Sequence, residues 1–511
     1  MKRVKEYLKQ NTVFAISVVI ALFVIVGGFV FSDSLNTISG SMMAWISEKF
    51  GWLYIGFIVF LCGFMVWLAL GKYGDIKLGK PLDKPEYSNF SWFAMLFCGG
   101  MGIGLVFWSI AEPLSHYVAP PNYAGVEPAT PEAAAFSLRT CFLHWGIPLW
   151  SCYALVGLGI GFFRFRKGKS ALISTLLSPL IGEKLTRRWP GKAVDVFAVV
   201  VSFCGVATSL GLGVVQICGG LEHLFQLPNN NITWLIIIVV ITCVFLTSSI
   251  SGVSKGIKLL SNINTYIAIA LLIACFLIGP TLSVLNNTIS SLGQHFQNFF
   301  GDIMAIDSGG DLWFADWRLF YFAWFIAWAP YTGMFIAKIS KGRTIREFVV
   351  GVILAPTVFS IIWFAVFGTL ALNVSGNWSL EELSAIIAKP EIAMFMVYDR
   401  YPLHEILSVM SIVLLTIFFI TSADSATFSI GIMTSDGNME PPLYKKVVWA
   451  IVVATIAYLL LLAGSIKPLQ TISIASSLPF LVIMILICPA LLKEFKKEKS
   501  IDNQKEKEVS S

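Results

Sequence analysis

Long apolar runs separated by short polar segments make up almost the whole chain. A helix needs about 20 mostly apolar residues to cross a bilayer. Twelve runs meet this requirement, at residues 13–31, 51–71, 90–112, 136–163, 194–218, 232–250, 258–281, 316–337, 348–373, 404–433, 447–465 and 469–492. The pattern therefore predicts an all-α membrane protein with twelve transmembrane helices.

The basic residues are distributed unevenly among the polar segments. With a cytoplasmic amino terminus, the outer side holds only six of the 36 lysines and arginines: Lys49, Arg139, Arg318, Lys389, Arg400 and Lys467. This bias is the positive-inside rule, and it favours an even number of spans in the cell membrane with both termini cytoplasmic. The net charge of +6 is loop charge facing anionic membrane lipid, so it requires no nucleic-acid partner.

Composition excludes a soluble enzyme. Only 13% of the residues are charged, whereas soluble proteins carry about 25%. The nine cysteines lie in apolar runs without CxxC pairs, and the five histidines are scattered without ligand spacing. We therefore expect neither disulfides nor a metal centre, no organic cofactor and no enzymatic activity.

Two spans five helices apart contain residues that interrupt helices. The third span carries four glycines between 99 and 104, and the eighth carries Pro330 and Gly333. Interrupted spans at corresponding positions indicate two inverted repeats with a binding site near the membrane midplane. A close helix-packing face remains the alternative explanation for the glycines.

This pairing divides the chain into two inverted five-helix repeats, helices 3–7 and 8–12, preceded by two extra helices. The expected parts are a cytoplasmic amino terminus (1–12), the two added helices (13–89), the first repeat (90–281), an extracellular connection (282–315), the second repeat (316–492) and a cytoplasmic tail (493–511). The connection includes an amphipathic stretch at 283–301, and 169–188 is a second one. The charged tail is expected to be disordered or only partly helical.

Aromatic residues concentrate in the fourth and eighth spans, beside the residues that interrupt them. They are Trp145, Trp150 and Tyr153 around Pro148, and Trp324, Phe325, Trp328 and Tyr331 around Pro330. Trp324 and Trp328 are four residues apart and share one helix face. Such rings form an interfacial belt or, near the midplane, a box that binds a quaternary ammonium group by cation–π attraction.

Several stretches together resemble the betaine/choline/carnitine transporter family over about residues 13–492. They are "GMGIGLVFWSIAEPL", "HWGIPLWSCY", "TSLGLG", "FAWFIAWAPYTGMFIAKISKGRTIREF" and "TSADSATF". The resemblance implies an inverted-repeat symporter fold, commonly a homotrimer, and a substrate with a trimethylammonium or similar head group.

The resemblance also implies a set of substrate residues. The ammonium box is Trp145, Trp150, Tyr153 and Phe325, with Trp324 and Trp328 alongside, and Met101 and Gly104 lie in the glycine stretch that the substrate carboxylate approaches. The family usually has tryptophan at position 325, and phenylalanine is a weaker cation–π partner. Choline-type relatives carry aspartate where this chain has Gly104, so Gly104 favours a zwitterion such as glycine betaine.

The resembled family includes sodium symporters, proton symporters and ion-independent exchangers. Thr421 and Ser422, a hydroxyl pair that the exchangers lack, favour sodium as the coupling ion here. The first sodium site consists of the Thr421 and Ser422 hydroxyls with the carbonyls of Cys98, Met101 and Phe418. The alternative to an ion site is that the two hydroxyls only donate hydrogen bonds to carbonyls of their own helix. A second site draws on Ser202 and Tyr331, but Val206 supplies no side-chain ligand where the family has a hydroxyl.

The expected function is sodium-coupled import of glycine betaine or a relative. A carnitine/butyrobetaine exchanger is disfavoured, because Asn264 stands where the exchangers carry arginine. A proton-coupled choline importer is disfavoured by Gly104. A channel is disfavoured because interrupted helices around a midplane box suit alternating access. Osmotic regulation is left open by the sequence.

Overall fold

The protein is almost entirely helical, as the pattern predicted. The computed structural model describes residues 11–30, 32–250, 254–306, 312–463 and 466–510. Within these ranges the chain forms helices and loops, with one isolated antiparallel bridge between Lys77 and Thr344.

The longer helices are numbered α1 to α17 along the described chain. They are α1 (Thr12–Val30), α2 (Ser32–Leu70), α3 (Asn89–Gly100), α4 (Ile103–Val118), α5 (Pro131–His144), α6 (Ile147–Gly161), α7 (Trp189–Phe225), α8 (Asn231–Ile250), α9 (Ser254–Ile278), α10 (Thr281–Met304), α11 (Phe320–Ile339), α12 (Ile345–Ser375), α13 (Leu380–Ile387), α14 (Pro390–Tyr398), α15 (His404–Met433), α16 (Leu443–Leu462) and α17 (Ile466–Ser510). Shorter pieces are a 3₁₀ turn (Asn122–Ala124), two π-helical turns (Phe162–Arg166 and Phe314–Leu319) and three single-turn helices (Ile173–Leu176, Ser178–Ile181 and Glu183–Thr186).

In the described chain, ten helices are long and apolar enough to cross a membrane. Two of the twelve predicted spans are not among them. The span at 90–112 consists of two helices, α3 and α4, each too short to cross alone. The span at 232–250 corresponds to α8, whose apolar part covers Asn231–Thr247.

Two consecutive predicted spans are interrupted. In the third, Met101 and Gly102 adopt extended conformations that separate α3 from α4. In the fourth, Trp145 and Gly146 separate α5 from α6, and Pro148 lies in the first turn of α6, where a missing N–H costs no hydrogen bond. Both interruptions lie inside the protein, where an open backbone is tolerated.

The prediction of an interruption in the eighth span is wrong. Helix α11 continues through Pro330 and Gly333, and its irregular part is the π-helical turn before Phe320. A proline removes one backbone hydrogen bond, and surrounding helices in a membrane protein allow a helix to continue past it. The structure thus has interruptions in neighbouring spans rather than in spans five apart.

The α5–α6 span, α7 and α11 lie in the interior of the helix bundle. In the apolar windows of 131–166, 189–225 and 314–339, 94% of the residues are buried, compared with 17% in α1 and 22% in the apolar part of α9. Helices α6 and α11 contact each other directly at two glycines. A Cβ at Gly333 would lie 2.9 Å from the backbone nitrogen of Gly157. Small residues at such contacts allow two backbones to pack directly.

Two predictions for the polar segments need correction. The stretch 169–188 forms three separate single-turn helices instead of one amphipathic helix. The tail is not disordered: α17 extends to Ser510, and its first tail turns pack on the protein. Phe495 is fully buried, and Arg166 forms a 2.9 Å ion pair with Glu498. The prediction for 283–301 corresponds to α10, which has buried and exposed faces.

Candidate functional site

The glycines of the α3–α4 interruption lie directly under aromatic rings. A Cβ built on each glycine meets the six-membered edge of an indole: 2.3 Å for Gly100 and Trp150, 2.9 Å for Gly102 and Trp328, and 2.4 Å for Gly104 and Trp324. Carbon atoms pack at about 3.5–4.0 Å, so none of these positions has room for a side chain. The glycines therefore let three rings contact the backbone of the interruption.

The glycines and several aromatic rings, Trp324 and Trp328 among them, enclose a narrow cavity. Its lining consists of Gly100, Gly102, Gly104, Trp145, Leu149, Tyr153, Trp324, Phe325 and Trp328. Its centre has room for about one water molecule. Any larger ligand requires the helices around the cavity to separate.

Most of the predicted substrate residues meet at this cavity. Six of them line it: Gly104, Trp145, Tyr153, Trp324, Phe325 and Trp328. Trp150 and Met101 do not. Trp150 lies behind Tyr153, with ring centroids 5.6 Å apart and an edge-to-face angle of 86°. The Met101 sulfur faces Ser360, whose hydroxyl donates to it at 3.6 Å.

Sequence reasoning missed Leu149 as a lining residue. It lies four residues after Trp145 and four before Tyr153, although the α5–α6 interruption disturbs the first spacing. The helical spacing to Tyr153 was the available signal.

The indole rings from α11 are fixed by hydrogen bonds to α7. Trp324 Nε1 donates to the Ser209 hydroxyl at 3.3 Å, and Trp328 Nε1 donates to the Gly205 carbonyl at 3.1 Å. Buried tryptophans normally satisfy the indole N–H in this way. Each ring is therefore held from behind and presents its remaining surface to the cavity.

Glu112 holds the third cavity tryptophan. Glu112 is the last residue of the span predicted at 90–112, but it lies within α4 and is fully buried. Its carboxylate accepts hydrogen bonds from Trp145 Nε1 (2.8 Å), Tyr321 OH (2.6 Å) and His144 Nδ1 (2.7 Å), with His116 Nε2 at 3.4 Å. A buried carboxylate requires such a set of donors.

The two histidines are themselves held from the far side. Arg318 Nε donates to His144 Nε2 at 3.1 Å, and Trp313 Nε1 donates to His116 Nδ1 at 3.1 Å. Because those nitrogens accept, the hydrogen-bond pattern assigns the protons to the nitrogens that face Glu112. Both histidines are then neutral, and Arg318 is the nearby positive charge.

Sequence reasoning missed this cluster, which we call the Glu112 cluster (Glu112, His116, His144, Arg318 and Tyr321). The ligand atoms of Glu112, His116 and His144 lie within 4.8 Å of one another, close enough to hold a metal ion. The hydrogen bonds engage every ring nitrogen, however, so this arrangement favours a hydrogen-bonded cluster. The available signal was the four-residue spacing of Glu112 and His116 on one helix.

Oxygen atoms from α15 also lie close to the α3–α4 interruption. The Ser422 hydroxyl lies 3.4 Å from the position of a Cβ on Gly102. Thr421 donates to the carbonyls of Ile417 (2.9 Å) and Phe418 (3.2 Å). These are the hydrogen bonds within its own helix that the sequence left open as the alternative to an ion site. Because the hydroxyl donates in them, its oxygen lone pairs remain available to coordinate a cation.

The end of α3 adds carbonyl groups to this region. Met101 N–H donates to the Phe97 carbonyl, but Met101 and Gly102 then leave the helical conformation. The carbonyls of the last turn, including that of Cys98, consequently lose the partners that a continued helix would supply. Hydroxyl and carbonyl oxygens are the ligands that hard cations prefer.

The residues of the second predicted ion site lie on α7 and α11. The Ser202 hydroxyl donates to the Ala198 carbonyl at 2.7 Å, and Val206 is buried one turn later. The Tyr331 hydroxyl is buried, and within the described residues it has no hydrogen-bond partner.

Comparison with known proteins places the chain in a transporter family. A profile of the betaine/carnitine/choline family of transporters matches residues 12–500. The chain is 41% identical to the glycine betaine transporter OpuD of Bacillus subtilis, over 96% of this chain and 95% of that protein. It is 40% identical to the ectoine/hydroxyectoine transporter of Virgibacillus pantothenticus, over 97% of this chain and 99% of that protein. It is 36% identical to the osmo-independent choline transporter BetT1 of Acinetobacter baylyi, over 89% of this chain and 88% of that protein. The protein belongs to the betaine/carnitine/choline family of transporters.

Proposed function

We propose that this transporter imports glycine betaine together with sodium by alternating access. The observation that carries the proposal is the cavity itself, in which aromatic rings face a helix interruption without side chains. One end of this cavity suits a quaternary ammonium group and the other suits a carboxylate.

The aromatic end binds the cation. Trp145, Tyr153, Trp324, Phe325 and Trp328 present their rings to one space. Each ring contributes about 0.5–2 kcal/mol of cation–π attraction, with the larger values where water is excluded. Phe325 is the weaker partner at a position where tryptophan is usual in the family, so the tryptophans carry most of the attraction.

The glycine end accepts the carboxylate. Helix α4 begins at Ile103, and Gly102 before it provides no side-chain cap. The free N–H groups and the positive end of the helix dipole there attract an anion. Gly104 adds no negative charge to this end, which favours a zwitterion over choline.

Sodium binds across the interruption from the substrate. The ligands are the hydroxyls of Thr421 and Ser422 and the carbonyls of Cys98, Met101 and Phe418. One sodium ion crossing about 100 mV supplies roughly 2.3 kcal/mol. A tenfold sodium gradient adds about 1.4 kcal/mol, so one ion supports accumulation of roughly several hundred-fold. Ser202 and Tyr331 are the residues of a second sodium site.

The same proposal includes the arrangement in the membrane. The twelve spans of this proposal are the ten apolar helices, the α3–α4 pair and α8. The family supports two inverted five-helix repeats, and the distribution of basic residues supports cytoplasmic termini. The transporter works as a homotrimer in the cell membrane, in contact with anionic lipid. Import of glycine betaine serves osmoprotection.

The test is uptake of radiolabelled compounds into proteoliposomes that contain the purified protein. Glycine betaine, carnitine, choline and ectoine are compared at a fixed membrane potential, with and without an inward sodium gradient. We expect sodium-dependent uptake that is fastest for glycine betaine. Sodium-independent exchange of carnitine, or a preference for choline or ectoine, would contradict the proposal.

A further inference from the structure

We propose that Glu112 is a positioning residue that fixes and polarises the Trp145 ring for the substrate cation. This inference deepens the proposed function and rests on it. Glu112 lies outside the cavity lining and reaches the cavity only through the residues that it holds.

Trp145 needs such support because of where it lies. It occupies the interruption between α5 and α6, so no regular helix determines the direction of its side chain. Its Nε1 atom donates to Glu112 at 2.8 Å, and its opposite edge lies 3.0 Å from the position of a Cβ on Gly104. The ring is therefore fixed at both edges, with Phe364 packed at a centroid distance of 5.5 Å.

The negative charge of Glu112 affects the Trp145 ring in addition to holding it in place. A carboxylate that accepts from the indole N–H forms a charge-assisted hydrogen bond, which is stronger than a neutral one. It also shifts electron density towards the ring faces, and cation–π attraction depends on that density. Arg318 balances the carboxylate through a neutral histidine, so the pair is stable in the protein interior without a positive charge beside the cavity.

The Glu112 cluster also joins the elements that surround the cavity. Glu112 belongs to α4, His144 ends α5, Tyr321 begins α11, and Arg318 lies in the π-helical turn before α11. All four side chains are fully buried. The orientation of Trp145 consequently depends on the relative position of both interrupted spans and of the helix that carries the other two tryptophans.

The experiment compares two ligands that have the same shape and differ in charge. Glycine betaine has a trimethylammonium head, and 3,3-dimethylbutanoate replaces its nitrogen with carbon. Binding of each is measured on purified protein in sodium-containing buffer, for the wild type and for Glu112→Gln. We expect glycine betaine to bind about tenfold more weakly to the variant, and the binding of the carbon analogue, whose head group is uncharged, to change by less than about twofold. Equal losses for both ligands would overturn the proposal, since a merely structural role affects both.

A second substitution tests whether Glu112 acts through Trp145. Incorporation of 3-benzothienylalanine at position 145 replaces the indole N–H by sulfur and keeps the two fused rings. We expect the same selective loss of glycine betaine binding, and no further loss when Glu112→Gln is added. Additive losses would overturn the proposal. This variant also retains the buried carboxylate, so it provides the test if Glu112→Gln does not fold.

Glu391→Gln is the matched control, because Glu391 is a half-buried carboxyl on α14 that does not line the cavity. We expect it to bind both ligands as the wild type does; the same selective loss there would overturn a specific role of Glu112.

If the wild type binds no trimethylammonium compound, the proposed function fails by itself. Glu112 is then tested by ultraviolet resonance Raman spectroscopy of the ligand-free protein, where Glu112→Gln must remove one strongly hydrogen-bonded indole signal. An unchanged spectrum would overturn the positioning role.

Discussion

Gly104 is tightly constrained by two of the tryptophan rings that line the cavity. Its position for a Cβ lies 2.4 Å from Trp324 and 3.0 Å from Trp145. It is also the residue whose lack of charge separates a zwitterion site from a site for a bare cation. The size of a side chain at this position should change the uptake rate, and its charge should change the preference between substrates. Two side chains of about equal size, one charged and one neutral, distinguish the two effects.

We expect Gly104→Asp and Gly104→Asn both to reduce glycine betaine uptake by about tenfold or more, because each side chain displaces a ring by overpacking. Only the aspartate should raise the ratio of choline to glycine betaine uptake, since its charge repels a carboxylate and attracts a cation. The measurement is competitive uptake into proteoliposomes. An equal ratio for the two variants would contradict the charge argument.

Thr421 tests the proposed sodium site. We expect Thr421→Ala to raise the sodium concentration for half-maximal uptake by about tenfold, because it removes one oxygen ligand from a charged ion. Thr416→Ala is the matched control: its hydroxyl makes the same bond to its own helix, at 2.8 Å from the Ile412 carbonyl. If both variants change the sodium dependence equally, the hydroxyl of Thr421 acts only on helix stability.

Trp328 tests the aromatic cavity. We expect Trp328→Ala to weaken glycine betaine binding by about tenfold or more, because it removes a ring of the cation site. Trp378→Ala is the control, since Trp378 lies under the guanidinium of Arg400 at 5.1 Å and does not line the cavity. Unchanged binding in Trp328→Ala would remove this ring from the substrate site. Isothermal titration of detergent-purified protein measures both.

At the scale of elements, α6 and α11 depend on direct backbone contact. We expect Gly333→Leu to destabilise the protein by about 1–3 kcal/mol, because Val156 and the backbone of Gly157 occupy the space that a side chain needs. Gly293→Ala on α10 is the control, because its Cβ position has nothing within 4 Å. Thermal unfolding in detergent compares them, and equal melting temperatures would show that the two helices separate without cost.

Sequence periodicity predicted most of the elements correctly because a membrane span is a local property of about 20 residues. The glycines before Gly104 predicted the α3–α4 interruption, and Pro148 indicated the α5–α6 interruption. Pro330 misled the prediction, since the surroundings of a proline decide whether a helix continues past it. Local patterns do not contain that information.

The polar part of the site was less predictable than the aromatic part. Glu112 and His116 are one helical turn apart and were visible in the sequence. The partners that complete the cluster are distant in the chain: His144 is 32 residues from Glu112, and Tyr321 is 209 residues away. Buried charges are understood only with their partners, and no pattern within one span brings these residues together.

At the scale of the whole molecule, the protein is a multi-pass membrane transporter, and the distribution of basic loops predicts its orientation in the membrane. We expect a cysteine at Lys184, between α6 and α7, to react with an impermeant maleimide only from the cytoplasm. A cysteine at Glu381, at the start of α13, should react only from outside. Both are made without Cys243, which is exposed among the described cysteines. Labelling in whole cells and inverted vesicles measures this, and reaction from the same side would refute the proposed topology.

The contact between the glycines of the interruption and the edges of the indoles also bears on how specificity evolves. Each of these tryptophan rings fills the space that a side chain on its glycine would need. We therefore expect the fold to tolerate a replacement of the glycine only when the tryptophan is replaced as well. A side chain at Gly100 requires a smaller residue at Trp150, and one at Gly104 requires a smaller residue at Trp324. Single-site mutational scans of this cavity should therefore yield few variants with a new substrate, whereas libraries that vary both members of a pair should yield more.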